Sequence, residues 1–77
     1  MLNDLQRIAI EKFAQNIYEN NGNVQEAKFF LTHNQSLGIK AIDFKEDGQI
    51  LIITNDDRIE FIFYSNAINN LQNKKSK

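Results

Sequence analysis

Apolar and polar residues alternate between residues 39 and 64, in the segment IKAIDFKEDGQILIITNDDRIEFIFY. Alternation with a period of two is typical of β-strands. Asp47-Gly48 and Asn55-Asp56-Asp57 interrupt the apolar runs and are typical turn sequences. The segment therefore predicts a three-stranded antiparallel meander, and the rest of the chain is expected to pack against it as helices.

The first turn determines how strands one and two align. Asp-Gly supplies the positive φ angles of a two-residue type I′ loop at low cost. With Asp47-Gly48 as the loop, Phe44 lies opposite Leu51 and Ile42 lies opposite Ile53. Opposite residues point to the same side of a sheet, so these four apolar side chains are expected on one face.

The second turn decides which way strand three faces, because a slip of one residue exchanges its two sides. A three-residue loop at Asn55-Asp56-Asp57 places Ile59, Phe61 and Phe63 on the same face as the four residues above. Its last residue, Asp57, is then expected in the left-handed region, which Asp tolerates better than most residues.

The other face of this predicted sheet is too apolar for a fully solvated one, on which polar residues would predominate. A contiguous apolar patch with a polar rim is typical of an interaction site. Two interpretations remain open: a helix of the same chain covers this face, or the face binds a partner. The residues expected to bind a partner combine apolar anchors with charged neighbours and are Asp43, Ile50, Ile52, Arg58, Glu60, Ile62 and Tyr64.

A first helix is predicted from Asn3, which can cap it, with Gln6 placed to complete a capping box. Spacings of three and four residues put the apolar side chains on one face, as in a helix that packs on a core. These expected core residues are Leu2, Leu5, Ala9, Ile10, Phe13, Ala14 and Ile17, with Ile8 as an exposed exception. Gly22 is expected to end the helix in the left-handed conformation.

A second helix is predicted from Asn23, which can cap it, and Glu26, three residues later, can complete a capping box. Its shared face would hold Val24, Ala27, Phe30 and Leu31. The run Phe-Phe-Leu-Thr also favours a strand, so helix and strand both remain open for residues 24–33. Residues 32–38 have no apolar period and contain turn formers, which predicts a loop.

After the meander, Ser65 can cap a short last helix with the apolar residues Ala67, Ile68 and Leu71. The predicted fold class is α+β, with two N-terminal helices, a three-stranded antiparallel β-meander and a short C-terminal helix (ααβββα). Residues 1–73 are expected to form a single small domain and residues 74–77 a basic disordered tail.

Size and composition exclude several kinds of site. A chain of 77 residues is near the lower size limit for a hydrophobic core that has no disulfide or metal ion to stabilise it, so a deep catalytic cavity is not expected. There is no cysteine, hence no disulfide framework, thiolate metal site or Cys nucleophile. No signal peptide or membrane-spanning run is recognisable, so we expect a cytoplasmic protein without membrane contact. Asparagine and isoleucine each occur eleven times, as in bacterial or phage proteins encoded by AT-rich genomes.

The charge of the chain argues against nucleic acid as a partner. The formal net charge is −1, but Lys74, Lys75 and Lys77 lie at the C-terminal end. The body through Asn73 holds six basic and ten acidic side chains, a balance of about −4. Such a body repels a phosphate backbone, whose neutralisation by Lys and Arg supplies most nucleic-acid affinity.

Catalytic and cofactor motifs do not stand out in this sequence. His33 is the only histidine, so no His-based metal set is available. There is no G-x-G-x-x-G, no P-loop and no G-x-S-x-G. No enzyme activity, metal or cofactor is therefore expected.

The sequence favours a small non-enzymatic protein-binding module, such as an inhibitor, immunity or phage accessory protein that occludes a surface of a macromolecular partner. In a second hypothesis the same patch is the interface of a homodimeric structural or regulatory subunit. The least favoured hypothesis is a nucleic-acid-binding regulator that uses the second helix and the basic tail.

Overall fold

The computed structural model of the chain describes residues 1–64 and shows two helices packed on one antiparallel sheet. The elements in chain order are α1 (Asp4–Asn20), α2 (Val24–His33), a 3₁₀ turn (Gln35–Leu37), β1 (Ile39–Phe44), β2 (Gln49–Thr54) and β3 (Ile59–Phe63). The strands lie in the order β1-β2-β3. The α+β class and the meander are confirmed, whereas the predicted C-terminal helix and basic tail lie outside the described residues.

The predicted cap starts α1 and also joins the helix to the rest of the molecule. The Gln6 N–H donates to the Asn3 side chain at 2.8 Å, and the Asn3 N–H donates to the Gln6 side chain at 2.9 Å. Gln6 then uses its remaining amide group, whose Nε2 donates to the Leu37 carbonyl at 2.7 Å. One buried side chain therefore satisfies the start of α1 and holds the 3₁₀ turn against it.

The end of α1 differs from the prediction, because Asn21 rather than Gly22 adopts the left-handed conformation. Asn21 has φ 54° and ψ 42°, a conformation that Asn tolerates better than most residues. Gly22 instead lies close to Asn16 of the helix. A Cβ atom there would lie 2.7 Å from the Asn16 side chain and 3.0 Å from the Asn16 carbonyl oxygen, so a larger residue would require Asn16 to shift.

The second helix is confirmed over the alternative strand. Asn23 caps it through a hydrogen bond from the Glu26 N–H to the Asn23 side chain at 3.0 Å. The helix continues through Thr32 and His33, two residues into the predicted loop. The remainder of that loop contains the 3₁₀ turn, which Asn34 caps through the Ser36 N–H.

The loop between β1 and β2 has three residues rather than the predicted two. The Gly48 N–H donates to the Lys45 carbonyl at 3.1 Å, and the Lys45 N–H donates to the Gln49 carbonyl at 2.9 Å. Gly48 has φ 93°, as in a type I turn followed by a left-handed glycine. The Asp-Gly sequence fits this loop as well as it fits a two-residue one.

This longer loop shifts the alignment of β1 and β2 by one residue. Phe44 lies opposite Ile50 and Ile42 lies opposite Ile52, so the predicted pairing of Phe44 with Leu51 is wrong. Because side chains alternate along a strand, the shift moves Ile50 and Ile52 to the face of Ile42 and Phe44.

The second hairpin is confirmed as a three-residue loop. The Asp57 N–H donates to the Thr54 carbonyl and the Thr54 N–H donates to the Arg58 carbonyl, both at 2.9 Å. Asp57 adopts the expected left-handed conformation with φ 66°. Ile53 consequently lies opposite Ile59, as predicted.

The helices cover one side of the sheet, which we call the inner face; the other side is the outer face. The core between helices and sheet consists of Leu2, Ile10, Ala14, Leu31, Leu37, Ile39, Ile42, Ile50 and Ile52. A β-bulge between Ile39 and Ala41 lets Ile39 and Ile42 both point inward, although they are three positions apart, a spacing that puts side chains on opposite faces of a regular strand.

Both helices are turned slightly from the predicted orientation. In α1 the buried positions follow a spacing of four and include Gln6, Ile10 and Ala14. Leu5 was predicted in the core but is 55% exposed, and Phe30 of α2 is 60% exposed. In α1, Gln6 is buried through its hydrogen bonds to Asn3 and Leu37, while the neighbouring Leu5 stays exposed.

Candidate interaction surface

The outer face carries an exposed apolar patch on β2 and β3. We call it the outer-sheet patch, and its members are Leu51, Ile53, Ile59, Phe61 and Phe63. Leu51 lies opposite Phe61, and Ile53 lies opposite Ile59. On β3, Ile59, Phe61 and Phe63 are 63, 60 and 52% exposed. Five large apolar side chains therefore lie side by side on the face that the helices do not cover.

Paired charges border the outer-sheet patch along β1. Asp43 lies opposite Leu51, and its carboxylate is 3.6 Å from the Lys45 ammonium. Lys40 pairs with Asp57 of the second turn at 2.6 Å. Exposed pairs such as these add little stability, but they give one border of the patch a defined pattern of charge.

The second turn is fixed by its own side chains. The Thr54 hydroxyl donates to the Asp56 carboxylate, and the Arg58 Nε donates to the same carboxylate at 2.9 Å. The hydrogen bond from Thr54, helped by the positive charge of Arg58, lowers the pKa of the Asp56 carboxyl below its ordinary value. This turn holds the start of β3 in place.

The residues predicted to bind a partner do not form one exposed surface. Ile50 and Ile52 are fully buried beneath the helices, and Ile62 and Tyr64 are half-buried against the same core. A helix of the chain therefore covers the central residues of the predicted patch. Of the two interpretations left open by the sequence, the structure shows the first for Ile50 and Ile52.

The three charged residues of the predicted surface are also separated. Asp43 lies on the outer face beside Leu51. The Glu60 carboxylate is only 24% exposed and lies 2.7 Å from the amino group of Met1. Arg58 reaches the same carboxylate at 3.8 Å. Glu60 and Arg58 thus belong to a cluster at the start of α1, away from Asp43.

An aromatic cluster closes one end of the inner face. The rings of Tyr18 and Tyr64 stack with their centroids 5.5 Å apart, and Phe44 meets Tyr18 edge-on at 6.4 Å. The Tyr18 hydroxyl donates to the Lys45 carbonyl at 2.5 Å. Burial, with the nearby negative charges of Asp47 and Asp43, raises the pKa of Tyr18 to about 12. The cluster ties the end of α1 to the first hairpin.

A groove of about 440 Å³ runs between α1 and β3. Its walls are formed by Ile8, Glu11, Lys12 and Gln15 of α1 together with Ile62, Phe63 and Tyr64. The groove is open and lies beside the edge of the sheet. Ile8, which is 54% exposed, is the exposed residue that the helical pattern predicted.

Two exposed aromatic residues on α2 form a smaller apolar spot. Phe29 stacks on His33 with ring centroids 4.0 Å apart, and Nδ1 of His33 lies 2.9 Å from the Phe29 carbonyl. Phe30 contacts Phe13 of α1, with centroids 5.8 Å apart. His33 is thus held by its own helix. Within residues 1–64, its hydrogen bonds and ring contact involve only Phe29 and Thr32.

Chemistry-bearing side chains are not gathered in the part of the chain that the structure describes. Residues 1–64 bring no three His, Asp or Glu side chains together in a geometry that would hold a metal ion. None of the helices between residues 1 and 64 has the length and apolar character needed to cross a membrane. Comparison of the chain with protein-family models, curated proteins and solved structures finds no match.

The sequence pattern did place the side chains of the outer-sheet patch on one face but did not predict that this face is the exposed one. Ile59, Phe61 and Phe63 share a face with Leu51 and Ile53 as predicted. The helices cover the opposite face, because the first loop turns Ile42 and Phe44 away from this group. If Glu46-Asp47-Gly48 had been interpreted as a three-residue loop, the sequence would have predicted which face is exposed.

Proposed function

We propose that this chain is a non-enzymatic binding module whose outer-sheet patch occupies an apolar surface of a protein partner. The observation that carries this proposal is the 60% exposure of Phe61 at the centre of five adjacent apolar side chains. An antiparallel sheet that faces only water presents mostly polar residues on that side. Exposed apolar patches of this kind mark interaction sites.

Binding through this patch needs no catalytic group. Phe61 and its neighbours act as anchors, and burial of each large apolar side chain contributes about 1.5–3 kcal/mol before the costs of association. The ion pairs Asp43–Lys45 and Lys40–Asp57 lie at the border, where charge sets orientation and association rate more than affinity. A protein that works in this way inhibits by covering its target, as an inhibitor, immunity or phage accessory protein does.

The test uses a photo-crosslinking amino acid placed either at residue 61 or at residue 29. Phe61 and Phe29 are both 60% exposed, so the two positions match in side chain and exposure and differ only in their surface. Each protein is irradiated in a lysate of a low-GC bacterium. We expect position 61 to give a discrete crosslinked species other than the chain crosslinked to itself, and position 29 to give none.

Competition with unlabelled protein makes the result specific to the patch. An excess of the native chain should suppress the crosslinked species, whereas an excess of Leu51→Lys should not, because a charge at Leu51 cannot be buried at an apolar interface. Equal crosslinking from both positions, or equal competition by Leu51→Lys, would remove the outer-sheet patch as the binding surface.

A further inference from the structure

The two edges of the sheet are built differently. The β1 edge carries the charged residues Lys40 and Asp43, a β-bulge and a close approach by α2. These are the features with which proteins prevent a sheet from pairing with another chain. The β3 edge has no bulge in its pairing with β2, no lysine and no proline. Its one charge, Glu60, is mostly covered and paired with Met1.

The backbone groups at the β3 edge can be assigned from the hydrogen bonds that β3 makes to β2. The Thr54 N–H donates to the Arg58 carbonyl, and the Tyr64 N–H donates to the Gly48 carbonyl at 2.8 Å. Backbone direction alternates along a strand, so Arg58, Glu60, Ile62 and Tyr64 direct their N–H and C=O groups towards β2. Ile59, Phe61 and Phe63 direct theirs away from the sheet.

Within residues 1–64, no strand pairs with that side of β3. We propose that the β3 edge is a homodimer interface, in which β3 pairs antiparallel with β3 of a second copy about a two-fold axis at Phe61. The three-stranded sheets then form one continuous six-stranded sheet. This goes beyond the proposed function, because it assigns an assembly state through the backbone of β3 rather than a target for the outer face.

A second copy fits this edge because β3 is complementary to itself in that register. Phe61 lies opposite Phe61 of the second copy, and Ile59 lies opposite Phe63. All three residues with outward backbone groups fall at hydrogen-bonded positions, which gives about six new hydrogen bonds. No like charges lie opposite each other, because Glu60 of one copy lies opposite Ile62 of the second copy and Arg58 lies opposite Tyr64.

The groove beside β3 places a lysine of α1 on the inner face next to the proposed interface. In the proposed register, Glu60 of the second copy lies opposite Ile62, which lines the groove together with Lys12. Lys12 takes part in none of the ion pairs found between residues 1 and 64. Glu60 of the second copy, which is already paired with its own Met1, therefore approaches the side of the sheet that holds Lys12, and the two-fold axis repeats this approach.

Single cysteines test the register directly, because the native chain has none. Phe61→Cys places two cysteines across the two-fold axis with Cα atoms about 5.5 Å apart, within the range that a disulfide spans. Phe63→Cys places its two copies about 14 Å apart, since each lies four residues from the other along the strand. We expect Phe61→Cys to form a covalent dimer under mild oxidation at least tenfold faster than Phe63→Cys.

Further measurements separate this pairing from other registers and from a monomer. A mixture of Ile59→Cys and Phe63→Cys should crosslink only as the mixed dimer, and Phe29→Cys, equally exposed on α2, should stay monomeric. Sedimentation of the native chain between about 1 and about 100 µM should show a mass approaching twice 9.0 kDa.

The proposal is overturned if the native chain stays monomeric over this concentration range. The β3 edge would then be available only to a strand of another protein. It is also overturned if Leu51→Cys crosslinks faster than Phe61→Cys, because that result requires two outer faces stacked on each other. Leu51→Lys separates this interface from the proposed function: it should keep the dimer while it loses crosslinking to the partner protein.

Discussion

Phe44 lies directly opposite Ile50 across the β1–β2 pair, and this alignment decides which side of the sheet the helices cover. It places Ile50 with Ile42 beneath α1 and α2, where Ile50 has no exposed surface. It leaves Leu51 beside Phe61 on the outer face. The exposed apolar surface of the protein is thus a consequence of one extra residue in the first loop.

Substitution of Asp57 tests the backbone geometry of the second loop. Asp57 has φ 66°, which costs a β-branched residue about 1–3 kcal/mol. Asp57→Val should lower the free energy of unfolding by that amount in urea titrations. Asp57→Gly should be nearly neutral, because glycine adopts this conformation freely and the exposed pair with Lys40 is weak. Equal losses in both variants would show that side-chain contacts, not φ, hold this loop.

Gln6 should contribute more to stability than its polar character suggests. Gln6→Ala removes the hydrogen bond to the Leu37 carbonyl and half of the capping box, with an expected loss of about 1–3 kcal/mol. Gln15→Ala on the exposed side of the same helix is the matched control and should change the free energy of unfolding by less than about 0.5 kcal/mol. Similar losses at the two positions would contradict the buried role of Gln6.

Tyr18 should make the protein sensitive to alkali. Its pKa is raised to about 12 in the folded state, above the ordinary value of about 10 that applies to the unfolded chain. The unfolded state therefore releases its proton first as the pH rises, so this contribution is complete below pH ~10 and is lost towards pH ~12. In Tyr18→Phe, the free energy of unfolding should fall less steeply over this interval.

Absorbance at alkaline pH gives an independent check on Tyr18. The chain has two tyrosines, so Tyr64→Phe leaves Tyr18 as the only phenol that titrates. Its ionisation in the folded protein should be centred well above that of free tyrosine. A midpoint near the ordinary value would mean that Tyr18 is solvated, contrary to its stacking on Tyr64 and its hydrogen bond to Lys45.

Much of the fold follows from local sequence signals. Asn3, Asn23 and the two turn sequences each predict an element boundary that the structure shows, because capping and turn chemistry depend only on nearby residues. The sequence cannot choose between two loop lengths that Asp-Gly fits equally well. The longer loop puts Ile50 rather than Leu51 on the face of Ile42 and Phe44, which reversed the expected roles of these two residues.

The candidate site shows the same limit. The sequence grouped Ile59, Phe61 and Phe63 correctly on one face but could not tell that this face would be the exposed one. The helical pattern likewise gave the right period for α1 and the wrong rotation. It gave Gln6 only a place in the capping box and did not predict that its amide would be buried between Asn3 and Leu37.

Two lysine substitutions at adjacent residues of β2 test the central claim, which is that the helices bury one face of the sheet and leave the other available for binding. Ile50 has no exposed surface, so Ile50→Lys buries an unpaired charge and should unfold the protein, as judged by circular dichroism. Leu51→Lys should keep the native spectrum and lose only the crosslink from position 61. A folded Ile50→Lys with an unfolded Leu51→Lys would show that the helices cover the opposite face and would contradict the account.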